Sequence, residues 1–380
     1  MTDGSPGPAF DLLAAWQPGG IYIERDRMGV ATGPGTWVPS EDAPAALGRT
    51  EPGAVAGGVL PFEGEGELLI GSCIVRRHDP HVTTRIGPTM PPALVTGLVP
   101  SDAFGASQLS YEPEPALFEG AVREVARRVR GGDLRKAVLA RTIEVGAGRT
   151  LDPRRLAHRL RAVDPHAFTF IAPAGEGVLV GASPELLVSR RGTEVRANPL
   201  AGSAPRSGDR DEDRAFADGL VRSSKDREEH AVVVEAVMEV LSPLCERLRA
   251  DPEPVLAETP NVWHLSTRIE GRLRAPAPSA LDLVAALHPT PAVAGTPTDV
   301  AMGLLHQLES FDRGSYAGPV GWIDAAGDGT WAIALRCALL RGEQATLYAG
   351  AGIVGESDPA AELDETDRKF RAFLDALRWG

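Results

Sequence analysis

Asp226 and Glu229 stand three residues apart, and so do Glu362 and Glu365. On a helix that spacing puts both acids of a pair on one face. Each pair opens onto an apolar, helix-patterned stretch, Ala231 to Leu244 in one case and Phe370 to Leu377 in the other. Facing each other across a cavity, these carboxylates need a cation between them. A hard divalent ion such as Mg²⁺ fits, bound by one or two of the acids, with water and substrate oxygens completing an octahedron. The same residues also read as two solvated helix starts, because acids favour a first turn.

Other residues suit acid–base work on a small anion. Lys136 opens the run Lys136 to Arg141, which alternates like a strand, so its two basic ends point to opposite faces. Buried and neutral, Lys136 is a base; at a wet strand edge it is an ordinary solvated lysine. Glu185 follows Pro184 and precedes two leucines. Partial burial there keeps a proton on the carboxyl, and such an acid near a neutral lysine makes an acid/base pair; the alternative is a solvated strand end. Arg336 stands alone among apolar residues from Thr330 to Cys337. A buried guanidinium needs a planar carboxylate, supplied by the protein or by a substrate. His264 lies within Asn261–Gly271, as a satisfied core histidine or as a site residue. The small-residue loops Asn198 to Ala204 and His288 to Pro297 let backbone N–H groups approach an anion. Neither loop matches a phosphate-binding pattern, and they read equally as turns.

The chain that must position these groups has 380 residues, 43% of them hydrophobic and 24% charged, enough for a large core in one domain or two. A net charge of -13 argues against nucleic acid or an anionic membrane as partner. It also means that an anionic substrate needs local Arg, Lys or metal. Cys73, Cys245 and Cys337 are odd in number and widely spaced, which suits a reduced, cytoplasmic protein and suggests no zinc site. The first residues lack a basic region followed by an apolar run, so no signal peptide is expected. No apolar run approaches the roughly 18 residues that span a bilayer.

Residues 1–115 are rich in Gly and Pro, with strand-like runs at Gly20–Glu24, Val59–Phe62 and Leu68–Arg76. Apolar positions 118, 121, 122, 125 and 129 predict an amphipathic helix over 117–130, ended by Gly131 and Gly132. Strands are expected at Lys136–Val145, Phe168–Ala172, Val178–Ala182, Leu186–Arg190 and Glu194–Ala197. A polar surface loop over Ser203–Arg214 leads into a helix from Asp213 to Leu248, broken near Ser223. One strand covers Asn261–Gly271. Ser279 caps a helix ending near Leu287, the His288–Pro297 loop follows, and Asp299–Leu308 is helical. Strands at Val320–Ile323, Thr330–Leu340 and Ala345–Ala349, the last two a hairpin turning at Gly342, precede a long C-terminal helix. Hairpins mixed with helices indicate an α+β fold with antiparallel sheets.

Taken in order, KAVLAR (136–141), GASPELL (181–187), PLAGS (199–203), SKDREEH (224–230), VWHL (262–265), LHPTPAVAGTP (287–297), FDRGSYAGPVGW (311–322), IALRCA (333–338), YAGAGIVGESDP (348–359) and ELDETDRK (362–369) resemble the chorismate-utilising enzymes. That family includes isochorismate, anthranilate, aminodeoxychorismate and salicylate synthases. The first third resembles it weakly, chiefly at Gly58 to Phe62. The resemblance implies a single large domain with two antiparallel β-sheets flanked by helices. Residues 1–115 would be a variable part of that domain and 116–380 its chorismate-binding catalytic region.

By the same resemblance, Glu229 and Glu365 would bind Mg²⁺ directly, with Asp226 and Glu362 assisting. Asp226 is shorter than the glutamate many relatives carry. Lys136 matches the water-activating base and Glu185 the general acid. Arg336 and Tyr316 would hold the side-chain carboxylate with the backbone of Gly350 and Gly352, and Lys369 would assist. His264 would lie near the ring, and Gly202 and Ser203 at the ring carboxylate. Relatives that attack the ring with lysine carry it where Ala201 stands, and amine-adding and salicylate-forming relatives carry Thr where Ala292 stands. Both alanines point to water as nucleophile, hence to an isochorismate synthase serving siderophore, menaquinone or other synthesis. The alternatives are a salicylate synthase or an ammonia-using anthranilate or aminodeoxyisochorismate synthase subunit. The chain also lacks a glutamine amidotransferase segment, and with water as nucleophile no amidotransferase subunit is expected as partner.

Overall fold

The computed structural model describes residues 11–26, 28–71, 74–79, 82–86 and 109–377. Cys73 and the first ten residues, where a signal peptide was not expected, lie outside them. β-Branched and small apolar residues dominate the strands, and every strand pairing among the described residues is antiparallel. They build an 11-stranded sheet, a 9-stranded sheet and a small 3-stranded sheet. The largest sheet begins Gly295–Thr296, Lys136–Gly146, Gln344–Ile353, Cys337–Arg341, Gly177–Ser183, Phe168–Ala174 and ends in N-terminal strands. The second includes Glu194–Asn198, Leu186–Arg191, Gly329–Ile333 and Pro319–Asp324, and it too ends in N-terminal strands. The third joins Leu200–Pro205, Val262–Ser266 and Val255–Glu258. A continuous apolar core between the large sheets includes Phe170, Val188, Trp331 and Ile333.

Local chemistry explains where helices start. Pro115 occupies the first turn of Pro115–Arg130, and Phe118, Val122 and Val125 form its buried face. Ser223 caps Ser224–Leu241 by accepting from Asp226 N–H. Ser279 and Asp282 form a reciprocal capping box on Ala280–Leu287. The C-terminal helix spans Pro359–Leu377. Its inner face meets Arg141, which lies on the opposite side of its strand from Lys136. The fully buried Arg141 guanidinium donates to Thr366 Oγ1 at 3.1 Å and to Asp367 at 3.0 Å.

Several expected elements are redrawn. Ser203–Arg214 is no loop: the strand Leu200–Pro205 and the helix Arg210–Arg222 occupy most of it, the helix capped by Asp209. The following helix stops at Leu241, and Cys245–Ala250 is an edge strand. Asn261–Gly271 divides into Val262–Ser266 and Ile269–Leu273, which belong to different sheets. Thr330–Leu340 likewise divides into Gly329–Ile333 and Cys337–Arg341. In the first third the strand is Val55–Val59, with Leu60 past its end, and Leu68–Arg76 contains parts of two strands, Glu67–Gly71 and Ile74–Asp79. The helix Pro153–Val163, capped by Asp152, was not anticipated.

Candidate active site

A cleft between the 11-stranded sheet and the 3-stranded sheet, with the Pro184–Glu185 and Leu335–Arg336 links on its wall, contains about 720 Å³ of space including its open mouth. Thirteen of the expected site residues line it: Lys136, Glu185, Gly202, Ser203, Glu229, His264, Ala292, Tyr316, Arg336, Gly350, Gly352, Glu365 and Lys369. Asp226 and Glu362 stand behind the lining. Ala201, Val138 and Tyr348 complete parts of the wall.

Lys136 and Glu185 are both buried on this wall. Lys136 Nζ lies 2.9 Å from Glu229 Oε1. Gly352, in register with Val138, makes room for that pair: a Cβ there would lie 2.3 Å from Glu229 Oε1 and 2.8 Å from Lys136 Cε. Burial pushes the Glu185 carboxyl up to about 8, against the opposing pull of the Leu200 N–H hydrogen bond and of Lys136 and Lys369. Glu185 therefore holds a proton at neutral pH and can donate it.

The other end of the cleft is cationic. Arg336 lies in the break that splits the expected strand, with a left-handed φ of 49°. Such a conformation is costly for a residue with a Cβ and turns the side chain out of the sheet register. The Arg336 guanidinium donates to His264 Nε2 at 2.9 Å. His264 Nδ1 faces Gly202 O at 3.0 Å and Ser203 Oγ at 3.1 Å. Burial, then the charges of Arg336 and Lys369, push the imidazole down to about 3. A neutral ring that accepts at Nε2 carries its proton on Nδ1, donated to Gly202 O. Gly202 has a φ of 71°, and the strand slips register between Ala201 and Ser203, which turns this carbonyl toward the histidine. Tyr316 stacks on Tyr348 at 5.0 Å, and burial raises its hydroxyl well above the usual range.

The acids converge from two helices, Ser224–Leu241 and Pro359–Leu377. Lysines hold three of them: Glu229 meets Lys136, Glu362 meets Lys225 at 3.1 Å, and Glu365 meets Lys369 at 2.6 Å. Lys369 also donates to Gly350 O at 2.7 Å. Burial and repulsion from Glu365 raise Glu362 despite Lys225, and burial with repulsion from Glu229 and Glu365 raises Asp226 despite Ser223. Burial acts to raise Glu365 too, but Lys369 outweighs it and holds the carboxyl below its ordinary range. Among the described residues, no three His, Cys, Asp or Glu side chains gather closely enough to hold a metal by themselves. The donor set is all oxygen, and two of its acids are destabilised by negative neighbours. That fits a hard cation held by one or two carboxylates, with other oxygens supplied by water or substrate.

Tyr348 and Arg313 also line the cleft and were not picked out from the sequence. The run Phe311 to Trp322 contains Arg313, but nothing in its spacing says what Arg313 touches.

A family model described as "Chorismate binding enzyme" matches residues 99–378. Isochorismate synthase DhbC of Bacillus subtilis is 46% identical over 272 residues, covering 70% of this chain and 68% of that protein. Isochorismate synthase EntC of Escherichia coli K12 is 41% identical over 266 residues, covering 70% and 68%. The solved structure of MenF, the menaquinone-specific isochorismate synthase from Escherichia coli, superposes with a TM-score of 0.86 over 97% of this chain and 92% of that one; at 24% identity it speaks for the fold. The α+β fold with helix-flanked antiparallel sheets is thus that of known relatives. The chain belongs to the family of chorismate-binding enzymes.

Proposed function

We propose that this enzyme is an isochorismate synthase, an isomerase that converts chorismate to isochorismate. The curated relatives at 41–46% identity carry that activity in their names. The observation that carries the chemistry is the shared burial of Lys136 and of a protonated Glu185 on one cleft wall. Lys136 takes a proton from water as the water oxygen bonds to C2. Both ring double-bond positions shift, the C4–O bond breaks, and Glu185 delivers its proton to the departing hydroxyl. Water enters and water leaves, so atoms balance without an oxidant.

Arg336 and Tyr316 hold the side-chain carboxylate, with Lys369 beside it. Gly202 and Ser203 bound the ring-carboxylate end. Fixing the substrate between these groups lowers the entropic part of the barrier, and their charge is already in place when the transition state forms. Mg²⁺ would be held by Glu229 and Glu365, with Asp226 and Glu362 behind them. When bound, the ion would supply the positive charge that neutralises a substrate carboxylate, and Glu229, paired here with Lys136, would be one of its ligands. Small side chains at Ala201 and Ala292 leave the nucleophile's place to water.

No helix among the described residues is long and apolar enough to cross a membrane. We read the protein as a stand-alone cytoplasmic catalyst of a small-molecule reaction. The test is incubation of pure protein with chorismate and Mg²⁺, followed by chromatographic identification of the product. Isochorismate without pyruvate is the expected outcome. Salicylate with pyruvate would replace this reading with a salicylate synthase, and product formed only with ammonium would replace it with an amine-adding one.

A further inference from the structure

The strand that begins at Lys136 loses part of its neighbour beside the cleft. At its start the edge is paired by backbone: Arg135 N–H donates to Thr296 O at 2.7 Å and Val138 N–H to Ala294 O at 2.8 Å. Gly295 and Thr296 stand opposite Ala137 and Lys136. Past that point the neighbouring chain turns away and carries Ala292 and Val293 into the cavity wall. The edge groups it leaves behind are Val138 O and Ala140 N–H, and buried peptide groups need partners.

Two side chains take the missing strand's place. Arg313 donates through one terminal nitrogen to Val138 O at 2.6 Å and through the other to Val293 O at 2.7 Å. Glu309 Oε1 accepts from Ala140 N–H at 2.8 Å. The two residues are themselves joined, at 2.8 Å and 2.5 Å, and their side chains are 4% and 7% exposed. Phe62 covers the guanidinium, its ring centroid 4.5 Å away. A planar fork can bridge two carbonyls from different segments; a lysine, a point donor, cannot. Stability alone is a poor reason to retain such a pair, since apolar replacements of buried ion pairs are often neutral or stabilising.

We infer that Glu309 and Arg313 form a positioning pair for the nucleophile, setting the gap between the Ala292–Val293 wall and the Lys136 strand in which the attacking water sits. Both act through the backbone they hold. This rests on the reading of Lys136 as the base and deepens it.

The test uses the full-length protein and the variants Glu309→Ala, Glu309→Gln and Arg313→Lys. Amide hydrogen exchange is measured without substrate, and kcat and KM are measured per folded enzyme. In Glu309→Ala, exchange should quicken by about tenfold or more at Ala140 and in the 290–294 loop, with the Thr142–Gly146 end still protected. Its kcat should fall by about 10-fold to 100-fold, with the chorismate KM changed less than about threefold. Arg313→Lys should lose kcat in the same way. Glu309→Gln keeps an oxygen for Ala140 N–H and should retain at least about a third of kcat. Should Arg313→Lys not fold, the Glu309 pair carries the comparison. Parental kcat in Glu309→Ala, a loss borne by KM, or unchanged exchange at Ala140 and 290–294 would each overturn the inference. A parent protein inactive on chorismate would sink the functional reading instead, and the exchange measurement would still decide this one.

Discussion

Glu185→Gln should separate catalysis from stability, in opposite directions. The Glu185 carboxyl sits at about 8 in the folded protein against an ordinary 4.5. At pH 7 the unfolded chain leaves it ionised, so folding must put a proton on it, and at 2.3RT per pH unit that costs about 3 kcal/mol. The folded protein binds the proton more tightly, so this group's contribution is most favourable below pH 4.5, declines as pH rises, and levels off above about 8. The full loss is about 5 kcal/mol. Glutamine is neutral at every pH, and its amide oxygen can still accept from Leu200 N–H. The variant should therefore be more stable than the parent at pH 7 by about 3 kcal/mol, which raises Tm by several degrees, with a margin that widens up to pH 8 and vanishes near pH 4.5. Having no proton to give, it should lose at least about 100-fold in kcat. In the parent, the alkaline limb of the kcat profile should drop about tenfold per unit above pH 8, as Glu185 loses its proton. Thermal denaturation from pH 5 to 9, alongside product formation, reads both effects. A variant with parental activity, or one whose Tm follows the parent's at every pH, would refute the reasoning.

Lys136→Ala should abolish turnover while calorimetric chorismate affinity stays within about fivefold, because the lysine acts on water and the substrate grip lies elsewhere; full activity would remove it as base. Gly352→Ala should displace Glu229 from Lys136, since the new Cβ would lie 2.3 Å from Glu229 Oε1; a kcat loss of about 10-fold or more is expected, and unchanged kinetics would show that the pair tolerates movement. Chelation with EDTA should stop turnover without unfolding the protein, reversed by Mg²⁺, and circular dichroism with assay reads both; activity that persists after exhaustive chelation would count against the metal.

The site was more legible than the scaffold around it. Local pattern leaves Lys136, Glu185 and the acid pairs open between solvated and functional readings, the resemblance supplies their roles, and the fold buries Lys136, Glu185, Glu229 and Glu362. Elements were misjudged where a local pattern continues through a tertiary event. Thr330 to Leu340 is apolar apart from Thr330 and Arg336, and its break at Arg336 is imposed by the crossing between sheets rather than by any Gly or Pro. Cys245–Ala250 follows the turn Ser242–Leu244, where Pro243 ends the helix, and its pairing with Ile269–Leu273 makes it a strand. The helix Pro153–Val163 did announce itself, through Asp152 before Pro153 and apolar residues at 156, 157 and 160. The Glu309–Arg313 pair left no such trace, because its meaning lies in carbonyls up to 175 positions away.

Lys136 and Arg141 are borne by a single length of backbone. One end carries the base; the middle, on its reverse side, clamps the helix that bears Glu362 and Glu365 through Thr366 and Asp367. Base and acids are therefore parts of one rigid lever. Apart from Leu109–Glu112, which pairs with this strand directly, the N-terminal strands of the largest sheet lie at its far end from the lever. A lineage can refashion those margins for its own needs while the reacting distances stay as they are. The family model, which matches residues 99–378, likewise begins beyond those strands.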